Sequence, residues 1–379
     1  MDPAAGGPPQ AVAALASAQR AAGCSVRVIY FAGPATADGI SRDYADVPAV
    51  DEVCWNRVSA DFRFWTGRPA SLAQRLGISG DSRVLHLHGM WRPELLRVSR
   101  LARRAGVPYV VAPLGMLAPW SLARKKVKKA IAWRLAWKRV LDAAAAIHAL
   151  NEEEALQIRA RDVQTPIEIL PNGVFLDQVQ GQVASWPSVV PPGERYVLFL
   201  GRLHEVKGLD VLAEAFAALA ARSPGVRLLI AGPDAGRRDA FTRQIAGLGI
   251  AERVHVLGPV YGRAKWHLVA HAACLCQPSR QEGFSMSIVE ALGAGVPVVI
   301  SEQCHFAEVR DAGAGAVVPL DARAVARALE QLLTEPARWE AASRAARELV
   351  RARYQWPDIA IRTLELYGKI LNSQPAPSH

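Results

Sequence analysis

Gly201-Arg202-Leu203-His204-Glu205-Val206-Lys207-Gly208-Leu209 is the stretch on which the fold turns. It follows a short apolar run, Tyr196–Leu200, and opens into Lys207–Arg222. There Val211, Leu212, Ala215, Phe216 and Leu219 fall at i, i+1, i+4, i+5 and i+8, the stripe of an amphipathic helix. The alternation continues through Val226–Ala231, Val254–Leu257, Ala273–Gln277, Pro297–Ser301 and Ala316–Pro319. Strands that are apolar throughout and separated by helices predict right-handed βαβ units and a parallel sheet.

The first half reads the same way, with candidate strands Val26–Phe31, Val84–His88, Tyr109–Ala112, Ala146–Ala149 and Ile167–Leu170. Gln178–Gly193, which holds Pro187, Pro191 and Pro192, breaks the pattern and reads as a linker. The expectation is an α/β chain of two domains, residues 1–172 and 194–350. Residues 173–193 lie between them, and 351–379 form a terminal helix and tail. Gly6-Gly7 opens straight into the helical stretch Ala11–Ala22, where a doubly wound domain should first have a strand. Either that strand is missing, or the true start lies upstream.

The 379 residues, 51% hydrophobic and 21% charged, have the composition of an ordinary globular protein and exclude collagen-like, disordered and disulfide-scaffold classes. No apolar stretch is long enough to span a bilayer, and Met1–Gln10 lacks the features of a secretory signal. Five cysteines without zinc or redox spacing read as small buried hydrophobes in a reducing compartment, hence a cytoplasmic location. The net charge is +10, mostly from the first half. Five of the eight lysines (Lys125, Lys126, Lys128, Lys129 and Lys138) lie in one short segment.

Two loops carry the chemistry. The turn at Gly201–Gly208 offers backbone N–H groups and a helix dipole to an anion, with Arg202 and Lys207 as cations suited to a diphosphate. On spacing alone, two solvated cations beside an ordinary loop are the simpler reading. The second segment is Glu282-Gly283-Phe284-Ser285-Met286-Ser287-Ile288-Val289-Glu290. Two carboxylates around a helix N-terminus can accept hydrogen bonds from sugar and ribose hydroxyls. Ser287-x-x-Glu290 also fits a capping box, which requires the helix to start at Ser287.

Together the two segments resemble the retaining glycosyltransferases of family 4 (group 1), which have the GT-B fold of two Rossmann-like domains with an interdomain cleft. Leu170-Pro171-Asn172-Gly173-Val174 is similar to that family's domain-junction turn. The resemblance implies transfer of a sugar from a nucleoside diphosphate-sugar to a hydroxyl of a polysaccharide or lipid-linked glycan, with no cofactor and no metal. No Asp-x-Asp occurs in the chain, in agreement with the latter. It also implies roles. Arg202 and Lys207 hold the diphosphate. Glu282, Gly283, Phe284 and Ser285 hold the donor sugar. Glu290 binds the ribose, and Pro259 and Val260 lie near the base. Gly6 and Gly7 face the diphosphate and acceptor. His88, in His86-Leu87-His88, points at the reacting sugar. Attack on the donor's own face fits better than a covalent intermediate, since no residue stands out as a nucleophile.

Arg124–Arg139 holds eight basic residues in sixteen, with Trp133 and Trp137 at i, i+4. A basic helix with interfacial tryptophans suits an anionic bilayer, and a peripheral place on the inner membrane face. Tryptophans packed on their own domain fit equally. No nucleic-acid motif is present. Two other functions remain open: a nucleotide-sugar epimerase on the same fold, and a non-catalytic, membrane-docked nucleotide-sugar-binding protein.

Overall fold

The computed structural model describes residues 7–31, 47–60, 62–78, 84–180, 190–191 and 194–373. The chain forms two compact units. One is Gly173–Gln355. The other joins Met1–Asn172 to Trp356–His379.

In the first unit, β3 (Leu85–His88), β4 (Tyr109–Ala112), β5 (Ala146–Ala149) and β6 (Ile167–Ile169) form a parallel sheet in sequence order. β1 (Arg27–Phe31) pairs in parallel with β2 (Cys54–Val58), a strand the sequence pattern does not reveal. Gly6 lies outside the described residues. Gly7 is the first residue of the helix Gly7–Ala21.

The second unit holds β7 (Arg195–Leu200), β8 (Val226–Ala231), β9 (Val254–Gly258), β10 (Cys274–Gln277), β11 (Val298–Ser301) and β12 (Gly315–Val318). They form one parallel sheet in the order β12-β11-β10-β7-β8-β9. Read from β9, this is the 3-2-1-4-5-6 order of a Rossmann domain. Two apolar layers cover its faces. One is built around Phe199, Phe216 and Leu329, the other around Leu198, Ile288 and Val350.

The expected boundaries shift at two places. Leu176–Gln180 is helical, and Val174 and Val179 join the second unit's apolar layer, so chain assigned to the linker belongs to that unit. The helix Pro336–Arg353 runs past residue 350. The helix Trp356–Asn372 then returns to the first unit, where Leu366 and Ile370 pack with Val110 and Leu170.

Candidate functional site

In a sheet of this order the strand order reverses between β7 and β10, and a ligand site is expected beyond the carboxyl ends of the strands at that point. The loops after those two strands are the two read from the sequence. Gly208 has φ 66°, and a Cβ there would come within 1.9 Å of the Pro278 carbonyl oxygen, so only glycine lets the first loop lie against the second. Gly232, after β8, is equally constrained, since its Cβ would meet the Gly201 carbonyl oxygen. Arg280 stitches the loops further, donating to the Val206 carbonyl through its backbone N–H and to both oxygens of Asp210 at 2.8 and 2.6 Å. That guanidinium holds the Asp210 carboxyl below its ordinary range.

Glu282 stands where the loops meet. Its Oε1 accepts from Lys207 Nζ at 2.7 Å, from Gln277 Nε2 at 2.6 Å and from Ser279 Oγ at 2.6 Å. No donor among the described residues reaches its other oxygen. Gln277 is fully buried and works in two directions, since its Oε1 also accepts from Ser285 Oγ at 3.1 Å and Ser287 Oγ at 2.7 Å. Sequence reading missed Gln277 and Ser279. The polar end of an otherwise apolar strand is the only local signal for the first.

The helix after this loop runs Met286–Gly293, with Ser285 as its N-cap. It begins before Ser287, so Ser287 and Glu290 do not make the capping box considered above. Glu290 instead pairs with Lys265, Nζ to Oε1 at 2.9 Å, with both side chains buried. Each glutamate thus has one oxygen held by a lysine and the other without a donor among the described residues. Arg202 is exposed and has no ion-pair partner among the described residues. Of the two cations assigned to an anion it is the unencumbered one, whereas Lys207 is already committed to Glu282. Ser285 lies in the Gln277 network. Phe284 packs on Phe306, ring centroids 4.8 Å apart, so it supports the loop from behind. Gly283, half-buried, joins Glu282 to Phe284 in the chain. Pro259 and Val260 follow β9, two strands away from β7, with Pro259 exposed and Val260 packed on the apolar layer.

His88 ends β3 in the first unit. Its ring stacks on His86, centroids 4.2 Å apart. His86 is itself tied down. Tyr367 Oη lies 2.7 Å from its Nδ1, and His148 Nδ1 lies 3.3 Å from its Nε2. His148 Nε2 is 2.6 Å from the Leu170 carbonyl oxygen, which can only accept. The protons therefore run one way: Tyr367 to His86, His86 to His148, His148 to the backbone. Burial, reinforced by the neighbouring histidines, lowers the pKa of His86 well below its ordinary value and that of His88 to about 3. Burial also lowers that of His148 to about 4. All three are neutral at pH 7.

Residues 6–173 match the family model described as glycosyl transferase 4-like domain, and residues 183–349 the one described as glycosyl transferases group 1. Across 377 residues, 97% of this chain and 94% of the relative, the sequence is 31% identical to a phosphatidyl-myo-inositol mannosyltransferase of Mycobacterium leprae. This chain belongs to the family 4 (group 1) glycosyltransferases of the GT-B fold. A less similar relative is a GDP-mannose:cellobiosyl-diphosphopolyprenol alpha-mannosyltransferase of Xanthomonas campestris. It is 26% identical over 302 residues, 79% of this chain and 77% of that one. Among solved structures, HepE of Anabaena, in complex with UDP and glucose, superimposes with a TM-score of 0.73 at 18% identity, covering 96% of each chain. A sucrose-phosphate synthase from Thermosynechococcus elongatus also scores 0.73 at 22% identity, over 97% of this chain and 94% of that one. The glycosyltransferase therefore has the two Rossmann-like domains expected from its loops.

The basic helix departs from one of its two readings. Trp133 and Trp137 are buried in the first unit's core, Trp137 edge-on to Trp91 at 6.0 Å. The opposite side of the helix carries Val127, Ile131 and Leu135, which are 71%, 54% and 67% exposed. Lys125, Lys126, Lys128 and Arg134 are exposed around them. Among the described residues no helix is long and apolar enough to cross a membrane.

Proposed function

We propose that this glycosyltransferase moves a hexose-type sugar, with retention, from a nucleoside diphosphate donor to a hydroxyl of a lipid-linked or polysaccharide acceptor. The observation that carries this is the pair of half-open glutamates at the sheet's switch point. Among the described residues no donor reaches Glu282 Oε2 or Glu290 Oε2, which leaves the first to accept from a sugar hydroxyl and the second from ribose. Because Lys207 and Lys265 already balance the two carboxylates, the loops present no net negative charge to an anionic donor. Arg202 and the turn's N–H groups then supply positive charge as it grows on the departing diphosphate, and the reading needs no metal. Neutral His88 serves the transferred sugar as a hydrogen-bonding group rather than as an acid.

Lipid-linked acceptors are supported by the names of the two mannosyltransferase relatives. The helix Lys126–Ala132 and the turn after it support a membrane-facing role. Three aliphatic side chains along one line with four cations beside them suit an anionic bilayer surface, here the inner face of the membrane.

A panel of UDP-, GDP- and ADP-sugars, screened by thermal shift and by release of nucleoside diphosphate, identifies the donor. The anomeric configuration of the product is then read by NMR. Retention in an acceptor-dependent product is the expected result. Free epimerised sugar without an acceptor would instead establish the epimerase reading, and binding without turnover the scaffold.

A further inference from the structure

Lys265 lies on the helix Gly262–Ala270 and Glu290 on Met286–Gly293. Their contact is far from a surface ion pair. Lys265 is 7% exposed and Glu290 4%, the ammonium also lies 4.4 Å from the centroid of the Trp266 ring, and the N–O distance is 2.9 Å. Taking two charges out of water is costly, and a well-packed apolar pair of similar volume commonly serves stability as well or better. Packing therefore gives no reason for charges here. Their position does. Glu290 sits in the helix that begins at the switch point, one turn beyond the loop of Glu282.

We propose that Lys265 is a positioning residue for recognition of the ribose diol of a nucleoside diphosphate. The inference rests on the reading of Glu290 as the ribose acceptor. The ligand is an anion, and an unbalanced buried carboxylate would repel it. It would also tend to take up a proton and lose half its accepting capacity. Lys265 removes both difficulties. It neutralises Glu290 without reaching the ligand, and by engaging Oε1 it leaves Oε2 as the single open acceptor. Lys207 does the same for Glu282, but Lys207 belongs to the anion-binding turn and faces two demands at once. Lys265 has only one, which makes its contribution separable.

The test compares two ligands on one protein. UDP and GDP, and the 2′,3′-dideoxy form of each, are titrated calorimetrically into the wild type, Lys265→Met, Lys265→Arg and Glu290→Gln, beside a thermal melt of each. A hydrogen bond to a charged acceptor corresponds to roughly a tenfold to hundredfold preference for the ribose form. The wild type should show that preference, and Lys265→Met and Glu290→Gln should both lose most of it, whereas Lys265→Arg should keep it. A merely structural lysine would lower the melting temperature and leave the ratio of the two affinities unchanged. Should Lys265→Met fail to fold, Lys265→Gln, which keeps a donor for the carboxylate but not the charge, takes its place and should also lower the ratio. An unchanged ratio in the Lys265 variants with a lost one in Glu290→Gln overturns the inference alone. A wild type that binds ribose and dideoxy forms alike overturns the role of Glu290, and this inference with it.

Discussion

Tyr367 Oη and His86 Nδ1 are 2.7 Å apart, although 281 residues of chain separate them. The phenol comes from the helix Trp356–Asn372 and the imidazole from β3, so the last helix is tied to the strand that carries His88. Gln19 donates to the same phenol oxygen at 3.2 Å, adding the helix Gly7–Ala21 to the arrangement.

The neutral histidines make stability depend on pH. In the unfolded chain each titrates near 6.5, whereas in the folded chain burial holds all three lower, His148 at about 4 and His88 at about 3. Below pH 6.5 the unfolded state therefore binds more protons, and stability falls as pH falls. The contribution is full above pH 6.5. It is lost with a slope approaching about 1.4 kcal/mol per pH unit per histidine until the folded values are reached. Urea denaturation at pH 7, 6 and 5 should show this decline. His148→Gln should flatten it, and a mutant curve parallel to the wild type would count against the argument.

Arg202 and Lys207 should behave differently when removed. Arg202→Ala deletes an exposed side chain with no ion-pair partner among the described residues, so donor affinity and turnover should drop while the melting temperature holds. Lys207→Met strands Glu282 with two neutral donors in a nearly buried place. Breaking a buried pair costs roughly 3–5 kcal/mol, an upper bound here because both side chains keep some exposure. A loss of both stability and donor binding is expected. Equal melting curves for the two variants would show that the Lys207–Glu282 pair has no structural weight.

Gln277 should be intolerant of change because it is fully buried and hydrogen-bonded in two directions. Gln277→Leu removes a donor to Glu282 and leaves the Ser285 and Ser287 hydroxyls short of an acceptor, at a cost of roughly 1–3 kcal/mol. Gln277→Glu sets a second carboxylate against Glu282 and should be worse at pH 7, recovering as pH falls and one carboxyl takes a proton. Chemical denaturation at pH 7 and pH 5 measures both effects. A Gln277→Glu variant as stable as the wild type at pH 7 contradicts the network.

Membrane attachment should depend on two separate features of one helix. Replacing Lys125, Lys126 and Lys128 by Gln should weaken cosedimentation with anionic vesicles, since each contributes up to about 1 kcal/mol near such a surface. Raising the salt should do the same. Replacing Val127, Ile131 and Leu135 by Ser should weaken binding even at low salt, because it removes the apolar insertion. Trp133 and Trp137 should show no blue shift on binding, being already buried. Pelleting that ignores both sets of substitutions would place the attachment elsewhere.

The loops after β7 and β10 were legible because their residues are close in sequence and sit between strong strand and helix patterns. What escaped was non-local or ambiguous in period. Cys54–Val58 holds Trp55, Asn56 and Arg57 and is only half buried, so it lacks the apolar run that betrays the other strands. The Lys265–Glu290 pair joins two helices, and nothing local marks either residue as buried. For Arg124–Arg139 the periodicity defines two faces without saying which is inside. Tryptophans at a bilayer surface and tryptophans packed on their own domain fitted the sequence equally, and in the structure Trp133 and Trp137 are both buried. The return of the C-terminal helix to the first unit is likewise a pairing of distant segments, to which local pattern is blind.

That return sets the order in which the protein can be completed during synthesis. The unit spanning Gly173–Gln355 is contiguous and has all its parts once residue 355 has emerged. The other unit begins to appear first but is finished last. Until Trp356–Asn372 leaves the ribosome, the helix Gly7–Ala21 lacks its packing partner, and Tyr367 is not there to meet Gln19 and His86. A premature stop anywhere between residues 355 and 366 would spare the later-made unit entirely. The damage would fall on the part of the molecule translated first, and a nascent chain stalled there would expose that unfinished apolar surface to its neighbours.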